Sequence, residues 1–477
     1  MTKKYYPTIG LEVHAELATE TKMFCRSKND PDAPSPNIHI CPVCMAHPGT
    51  LPVPNKQAIE HVIKVGLALG SDIANFTEFD RKNFFYPDIP KGYQISQYKY
   101  PIVSGGKLAG FAITRVHLEE DTATSKHEGT KSLIDYNRAG VPLMELVTEP
   151  VIHSAEDAMR FGKELQLLMR YLGVSHANME KGEMRVEVNI SISTEEGVLG
   201  TRVEIKNLNS FSVVGKSIDY EIARMTAMHE AGRADEIVQE TRGWDDQKQK
   251  TFSQRIKENS EEYRYFPDPD LPKMYLHDMF DLQTLRETLP ELPWEMRVRY
   301  RDQYGIKDED IEGYVTDKKL ALLFENAVIM YADQPELIKL TSNYLTSDVV
   351  GFFKNTDLPS VDEILENIKP ESLAKIITMI HGGDLNSRGA KDILLIMAKQ
   401  GGNPEAIAEA EGLLQKSNPE ELRKMAQGII DENPEQAAQY RAGKEALLKF
   451  FVGQLMKASK GSANPAVAEE VFRELLG

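Results

Sequence analysis

The sequence predicts an α+β chain: a mixed α/β N-terminal domain with an antiparallel sheet, then an all-α domain and a small helical tail. Three observations lead there. Four segments before residue 290 alternate apolar and polar residues with the period of two that a half-buried strand requires. Past PELPWEMRVRY (290–300) that alternation stops, and charged amphipathic stretches joined by Pro or Gly replace it. A chain of 477 residues also has room for about three domains. The expected boundaries are 1–290, 291–405 and 406–477.

The first strand is IGLEVHAEL (9–17). Its odd positions are apolar, and Glu12, His14 and Glu16 share the opposite face. In ITRVHLE (113–119) Arg115, His117 and Glu119 share a face. Strict extension puts Glu120 on the other side, and a bend or bulge at the strand end would bring Glu119 and Glu120 to one metal. An acidic strand end before a loop is the plainer alternative. In MRVEVNISIS (184–193) Arg185, Glu187 and Asn189 oppose Val186, Val188, Ile190 and Ile192. In TRVEIKN (201–207) Arg202, Glu204 and Lys206 fall together. Any half-buried antiparallel strand has a polar outer face. Thr and scattered Lys would serve a solvated face equally well, so four strands with this mix point to a platform for a hard metal and phosphates.

Between the strands, Ser154 is a good N-cap with Asp157 three residues on. Ala158, Phe161, Leu165, Leu168 and Leu172 follow helical spacing to Gly173. A second helix is expected over Ser217 to Ala231. The segments 80–98 and 263–272 read as ordered loops, and Gly105-Gly106 as a hairpin turn between two strands. The Gly215-Lys216-Ser217 triplet lacks the earlier glycine of a phosphate loop, since Ser210 stands there. No GxSxG signature suggests a covalent nucleophile. C-terminal helices are expected around 317–332, 371–381, 388–399, 403–415, 419–431 and 434–457. NPEA, NPEE and NPEQ read as helix starts, with Asn as cap and Pro first in the helix.

The formal net charge of −17 argues against a polyanion binder driven by bulk electrostatics. A local basic patch is still available in Arg441, Lys444, Lys449, Lys457 and Lys460, although such residues are most often a solvated helix face. The sequence holds no apolar run of the length that spans a membrane and no secretory or transit pattern, so cytoplasm is the expected compartment. Three cysteines are too few for a disulfide framework in so long a chain. Cys25, Cys41 and Cys44 form part of a zinc site, with His39 or His47 as fourth ligand, or are incidental thiols. Lys82 and Lys91 could contact phosphate or simply be solvated.

Several strings go further: YPTIGLEVHAEL, DRKNFFYPDIPKGYQISQY, HLEEDTA, DYNRAGVPLMELVTEP, VEIKNLNSF, YRYFPDPDLP and FVGQLMKASKGSANP. Together they resemble, over essentially the whole chain, the B subunit of the bacterial glutamyl-/aspartyl-tRNA amidotransferase. The resemblance implies a heterotrimer with an amidase A subunit and a small C subunit. It implies that misacylated Glu-tRNA(Gln) or Asp-tRNA(Asn) is corrected to Gln-tRNA(Gln) or Asn-tRNA(Asn). The B subunit would phosphorylate the side-chain carboxylate with ATP and Mg2+ in its first domain, the cradle. Ammonia channelled from the A subunit would displace phosphate, and the helical and tail domains would grip the tRNA.

By the same resemblance Glu12, His14, Glu120 and Glu204 are the leading metal-site residues, with Glu119 and Glu187 next. His14 would act through water or admit Mn2+. Lys206 and Arg185 become phosphate contacts, Lys82 a residue of the ammonia route or of the ATP approach, and Lys457 and Lys460 tRNA contacts. Zinc-bearing relatives have a second cysteine soon after the first, where this chain has Ser27. The insertion of the related archaeal E subunit is missing between YRYFPDPDLP and PELP. A ligase acting on a small free carboxylate and a scaffold that only presents tRNA are the competing readings.

Overall fold

The computed structural model describes residues 4–256, 263–331, 333–415, 419–459 and 463–477. The chain divides into two units, Met1–Pro293 and Trp294–Gly477, and the described strands all fall in the first. These are β1 (Tyr6–Glu16), β2 (Asp72–Ile73), β3 (Phe76–Thr77), β4 (Asp80–Asn83), β5 (Tyr93–Ser96), β6 (Val103–Ser104), β7 (Lys107–Leu108) and β8 (Phe111–Glu120). They continue with β9 (Thr124–Glu128), β10 (Lys131–Asp135), β11 (Pro142–Thr148), β12 (Met184–Ser193), β13 (Val203–Leu208), β14 (Glu240–Asp245), β15 (Lys250–Ile256), β16 (Phe266–Pro267) and β17 (Met274–Tyr275).

The main sheet runs β15-β14-β13-β12-β1-β11-β8-β6-β2, with β7 also on β8. All four expected strands are in it. The expectation of an antiparallel sheet needs one correction: β13 and β14 pair in parallel. Two parallel neighbours need a long crossover, and helix α3 (Phe211–Glu230) supplies it. Gly105-Gly106 is not a hairpin turn. It links β6 and β7, which both pair with β8. Both glycines have positive φ, and a Cβ on Gly106 would meet the Ser71 hydroxyl at 2.1 Å, so the backbone can turn there only without a side chain.

One face of the sheet is apolar. Ile9, Leu11, Val13 and Ala15 of β1 and Val186, Val188 and Ile190 of β12 are fully buried. Helices α2 (Ala155–Tyr171) and α3 lie against this region through Phe161, Leu165, Val214 and Ile218. Ser154 caps α2 by accepting the Asp157 N–H at 3.1 Å, and Gly173 follows its end with φ +67. Helix α3 starts earlier than expected, at the Ser210 cap, and absorbs Gly215-Lys216-Ser217 into its first turns. A further helix, α1 (Lys56–Ala68), capped by Asn55, was not anticipated; it lies against β8, β6 and β2. The polar face meets a small second sheet, β16-β4-β5, drawn from the segments read as loops.

The described elements of the second unit are all helices. The expected 434–457 helix is two, Pro434–Arg441 and Leu447–Ala458, because the backbone turns at Gly443 (φ +98). Asn403 caps its helix through the Glu405 and Ala406 N–H groups. Asn433 does not cap. Its amide donates to the Ile429 carbonyl of the preceding helix at 2.9 Å. The cap expected at Asn418 lies outside the described residues. The last helices share a core of Leu422, Ala426, Phe451, Leu455, Phe472 and Leu476. No helix among the described residues is long and apolar enough to cross a membrane.

Candidate active site

The site begins with register. In the sheet, His14 of β1 stands opposite Glu145 of β11, and Glu145 opposite His117 of β8. Directly paired residues share a face, so three strands set an imidazole, a carboxylate and an imidazole in a row. His14 Nε2 lies 3.4 Å from Glu145, 3.5 Å from Glu119 and 3.7 Å from Glu12. His117 Nε2 lies 3.5 Å from the same Glu145 oxygen, and the Arg115 guanidinium donates to its other oxygen at 3.4 Å. Two overlapping donor sets result, Glu12–His14–Glu145 and His117–Glu119–Glu145. In each, one ligand atom per residue lies within 4.8 Å of the others.

The electrostatics follow from burial in a shared low-dielectric site. Burial disfavours the imidazolium of His14, but the hydrogen bond and charge of Glu145, then Glu119 and Glu187, outweigh it and raise its pKa to about 9. Burial favours the neutral carboxyl of Glu145, yet His117, His14 and Lys82 hold it well below the usual carboxylate range. Glu12 is pushed up to about 7 by burial and by the neighbouring Glu145. His117 is lowered to about 4 by burial, so it presents a neutral ring. Its buried Nδ1 has no hydrogen-bond partner among the described residues, nor does the buried Oδ1 of Asn189. Clustered oxygens with a neutral imidazole and orphaned acceptors suit a divalent cation that accepts mixed O/N donors.

Cations close the site from the small sheet and the flanking strands. Lys82 of β4 opposes burial through the charges of Glu119 and Glu145, which raise its pKa. Its ammonium lies 5.1 Å from the ring centre of Tyr263 and 5.9 Å from that of Phe84. Lys206 of β13 is 2.7 Å from Glu187 and 3.8 Å from Glu204. Arg185 of β12 reaches Asp121 at 2.7 Å, and Arg138 approaches the same oxygen at 3.7 Å. Beside them, burial and then Asp121 push Glu16 up to about 8.

The structure therefore gathers Glu12, His14 and Glu119, with Glu187 and Lys206 at one side. It does not bring Glu120 to them. Glu120 pairs with Pro142 in regular register, with no bulge there, so alternation turns its carboxylate away. That carboxylate takes the Lys91 ammonium at 2.7 Å and the Ile95 N–H at 3.0 Å. Lys91 is thereby committed to Glu120. Glu204 stands apart as well, accepting the Thr241 hydroxyl at 2.7 Å. Glu145 and Asp121 were missed. Glu145 sits in PLMELVT, a nearly continuous buried strand, where one acidic residue among apolar ones was the available signal.

Cys25, Cys41 and Cys44 do converge, with their sulfurs within 4.8 Å of one another. Cys25 and Cys44 border a cavity of about 240 Å³ that also touches His47, Lys91 and Glu120. His39 is held by Asp30 at 3.5 Å. The buried Lys22 ammonium lies 3.9 Å from Cys44 and donates to the Tyr136 carbonyl at 3.0 Å. In the second unit Lys457 is exposed in the last turn of its helix. Lys460 lies outside the described residues.

Residues 7–280 match a family model described as the GatB/GatE catalytic domain, and residues 322–476 one described as the GatB domain. The chain is 41% identical over 495 residues to the B subunit of an aspartyl/glutamyl-tRNA(Asn/Gln) amidotransferase from Crocosphaera subtropica, covering 99% of this chain and 98% of that protein. It is 42% identical over 483 residues to the protein of the same name from Persephonella marina, covering 99% and 100%. The B subunit of a chloroplastic/mitochondrial glutamyl-tRNA(Gln) amidotransferase from Oryza sativa subsp. japonica is 42% identical over 483 residues, covering 98% and 87%.

Proposed function

The chain belongs to the B-subunit family of the tRNA-dependent amidotransferases, and from that premise we propose that the face of β1, β11 and β8 is a Mg2+-dependent kinase site. As a member of this family, the chain is a subunit of a glutamine-hydrolysing ligase that converts misacylated Glu-tRNA(Gln) or Asp-tRNA(Asn) to the amidated form. A carboxylate is a poor acyl donor, because oxide is a bad leaving group. Its oxygen attacks the γ-phosphorus of ATP and ADP leaves. Ammonia then adds to the acyl carbon, phosphate departs, and the nitrogen loses a proton.

Phosphoryl transfer needs positioning and charge neutralisation above all. Glu12, His14 and Glu145 would hold the Mg2+ or Mn2+, with Glu119 alongside. When bound, the ion supplies neutralisation of phosphate charge. Lys82 and Lys206, already close to these carboxylates, offer ammonium groups to phosphate oxygens, and Arg185 stands ready at the far end beside Asp121. Lys82 would also line the route by which ammonia enters. The observation that carries the reading is the His14–Glu145–His117 row across three strands.

The chain would act with an amidase A subunit and a small C subunit, and its second unit would grip the tRNA, Lys457 included. Zinc is the ion suited to Cys25, Cys41 and Cys44, with His47 the better fourth donor because Asp30 engages His39. Hydroxylamine trapping tests the kinase reading. An acyl phosphate on the aminoacyl side chain gives a side-chain hydroxamate, distinct from the α-hydroxamate that the tRNA ester itself yields, and is expected only with ATP, Mg2+ and misacylated tRNA. Side-chain hydroxamate formed equally by the Glu12→Gln, Glu145→Gln double variant would refute it.

A further inference from the structure

Strand β13 breaks its own alternation. Val203 and Ile205 are fully buried in the core, and Glu204 and Lys206 lie on the opposite face. Period two would turn residue 207 inward and residue 208 outward, yet the chain has the polar Asn207 followed by Leu208. One extra residue resolves the conflict. Val188 pairs with Ile205 and Val186 with Leu208, so Glu187 alone stands opposite both Lys206 and Asn207. That two-against-one count is a β-bulge. Leu208 thereby rejoins the core across from Val186, and Asn207 is left in solvent.

The backbone of Asn207 carries the bulge. Its φ is +64, a left-handed conformation that asparagine adopts more readily than most residues and that β-branched residues all but exclude. The place of the bulge matters as much as its shape. β13 is an interior strand, between β12 and β14, whereas bulges favour sheet edges and the borders of active sites. Lys206 is the last residue of β13 in register with β14, opposite Gly243, and the extra residue follows at once. A bulge bends its strand and sharpens the local twist. Here the bend falls at Lys206, whose ammonium crosses to Glu187 of β12 at 2.7 Å and stays 3.8 Å from Glu204. Glu204 is itself fixed by the Thr241 hydroxyl at 2.7 Å.

Resting on the kinase reading above, we infer that Asn207 is a positioning residue for Lys206. The left-handed turn of its backbone, and not its exposed carboxamide, holds the ammonium at Glu187 and Glu204, where phosphate would meet it. A residue that cannot take φ above zero would pull the strand toward regular pairing. Leu208 would then turn to the face of Lys206, and the ammonium would lose its place.

The test is tRNA-dependent ADP release by the full complex. Lys206→Met should lower kcat about a hundredfold. Asn207→Val should lower it at least about tenfold, and Asn207→Gly, which keeps the left-handed turn, should stay within about twofold of the unaltered complex. The decisive reading is the double variant. Asn207→Val should cost nothing further in the Lys206→Met background, because its effect passes through that ammonium. Should Asn207→Val fail to assemble, Asn207→Ala serves, with a smaller loss that likewise vanishes beside Lys206→Met. Losses that multiply in the double variant would show a merely structural role and overturn the inference. So would a loss in Asn207→Gly equal to that of the bulkier variant, full turnover in both Asn207→Val and Asn207→Ala, or full turnover in Lys206→Met. In each of those cases ADP release by the unaltered complex leaves the kinase reading standing. No release by the unaltered complex overturns that reading, and the inference with it.

Discussion

Replacing Glu145 by Gln keeps the shape of the side chain and removes the charge that two imidazoles and Arg115 share. Unit charges 3.4 Å apart attract by about 5 kcal/mol at an effective dielectric constant of ~20. Burial of the imidazole opposes that attraction, and Glu119 and Glu187 persist in the variant. A net loss of about 2 kcal/mol is therefore expected, which lowers the His14 pKa from about 9 to roughly 7.5. NMR titration of 13C-labelled histidine in the metal-free protein reads this directly. A raised histidine pKa contributes stability that is complete below the unfolded value of about 6.5 and is lost as pH rises through about 9. The Glu145 pKa is depressed, so its own contribution is present above the usual carboxylate range and lost in acid. The stability gap between the two proteins should thus be widest near pH 6 and narrow toward pH 10. In turnover the same change should cost about 10²–10³-fold in kcat. An unshifted His14 titration with full turnover would refute the reasoning.

Arg185→Leu should destabilise the first unit by about 1–2 kcal/mol in urea denaturation. That is less than for a fully buried pair, because Arg185 is partly exposed and Arg138 remains near Asp121. Burial favours the neutral Asp121 carboxyl, yet Arg185 and then Arg138 overcome it and depress the pKa, so its contribution holds above the usual aspartate range and fails as pH falls. The variant should therefore unfold at a higher pH in an acid titration, and an unchanged acid midpoint would contradict this. Mg2+ binding near pH 7 should release between one and two protons, because without metal His14 is protonated and Glu12 about half so; calorimetry in buffers of different ionisation enthalpy checks it. Lys22→Met should tighten zinc binding about tenfold by removing a cation 3.9 Å from Cys44, as measured by chelator competition. Weaker binding would count against the thiol site.

Much of this was legible in the sequence wherever one physical rule governs alone. Period-two alternation placed Glu12, His14, Glu119 and Glu187 on one face, and the Ser154 cap and Gly173 bounded α2 correctly. Legibility failed where neighbours across the sheet decide. Glu145 lies between β1 and β8 only because of strand order, which alternation does not encode, and its own strand is buried on both faces. Glu120 was expected at the metal through a bulge that the regular β8–β11 register does not contain. The parallel β13–β14 pair depends on a crossover through α3, a tertiary choice with no local signature. Gly105-Gly106 has turn chemistry, but both flanking strands chose β8 as their partner instead of each other.

The central claim, a metal held across β1 and β11, is tested most directly by electron paramagnetic resonance of Mn2+ bound to the full-length chain. The expected result is a bound ion with an imidazole nitrogen coupling that disappears in His14→Ala, and with affinity reduced at least tenfold in Glu145→Gln. Mn2+ bound with unaltered affinity and unaltered nitrogen coupling in both variants would contradict the account.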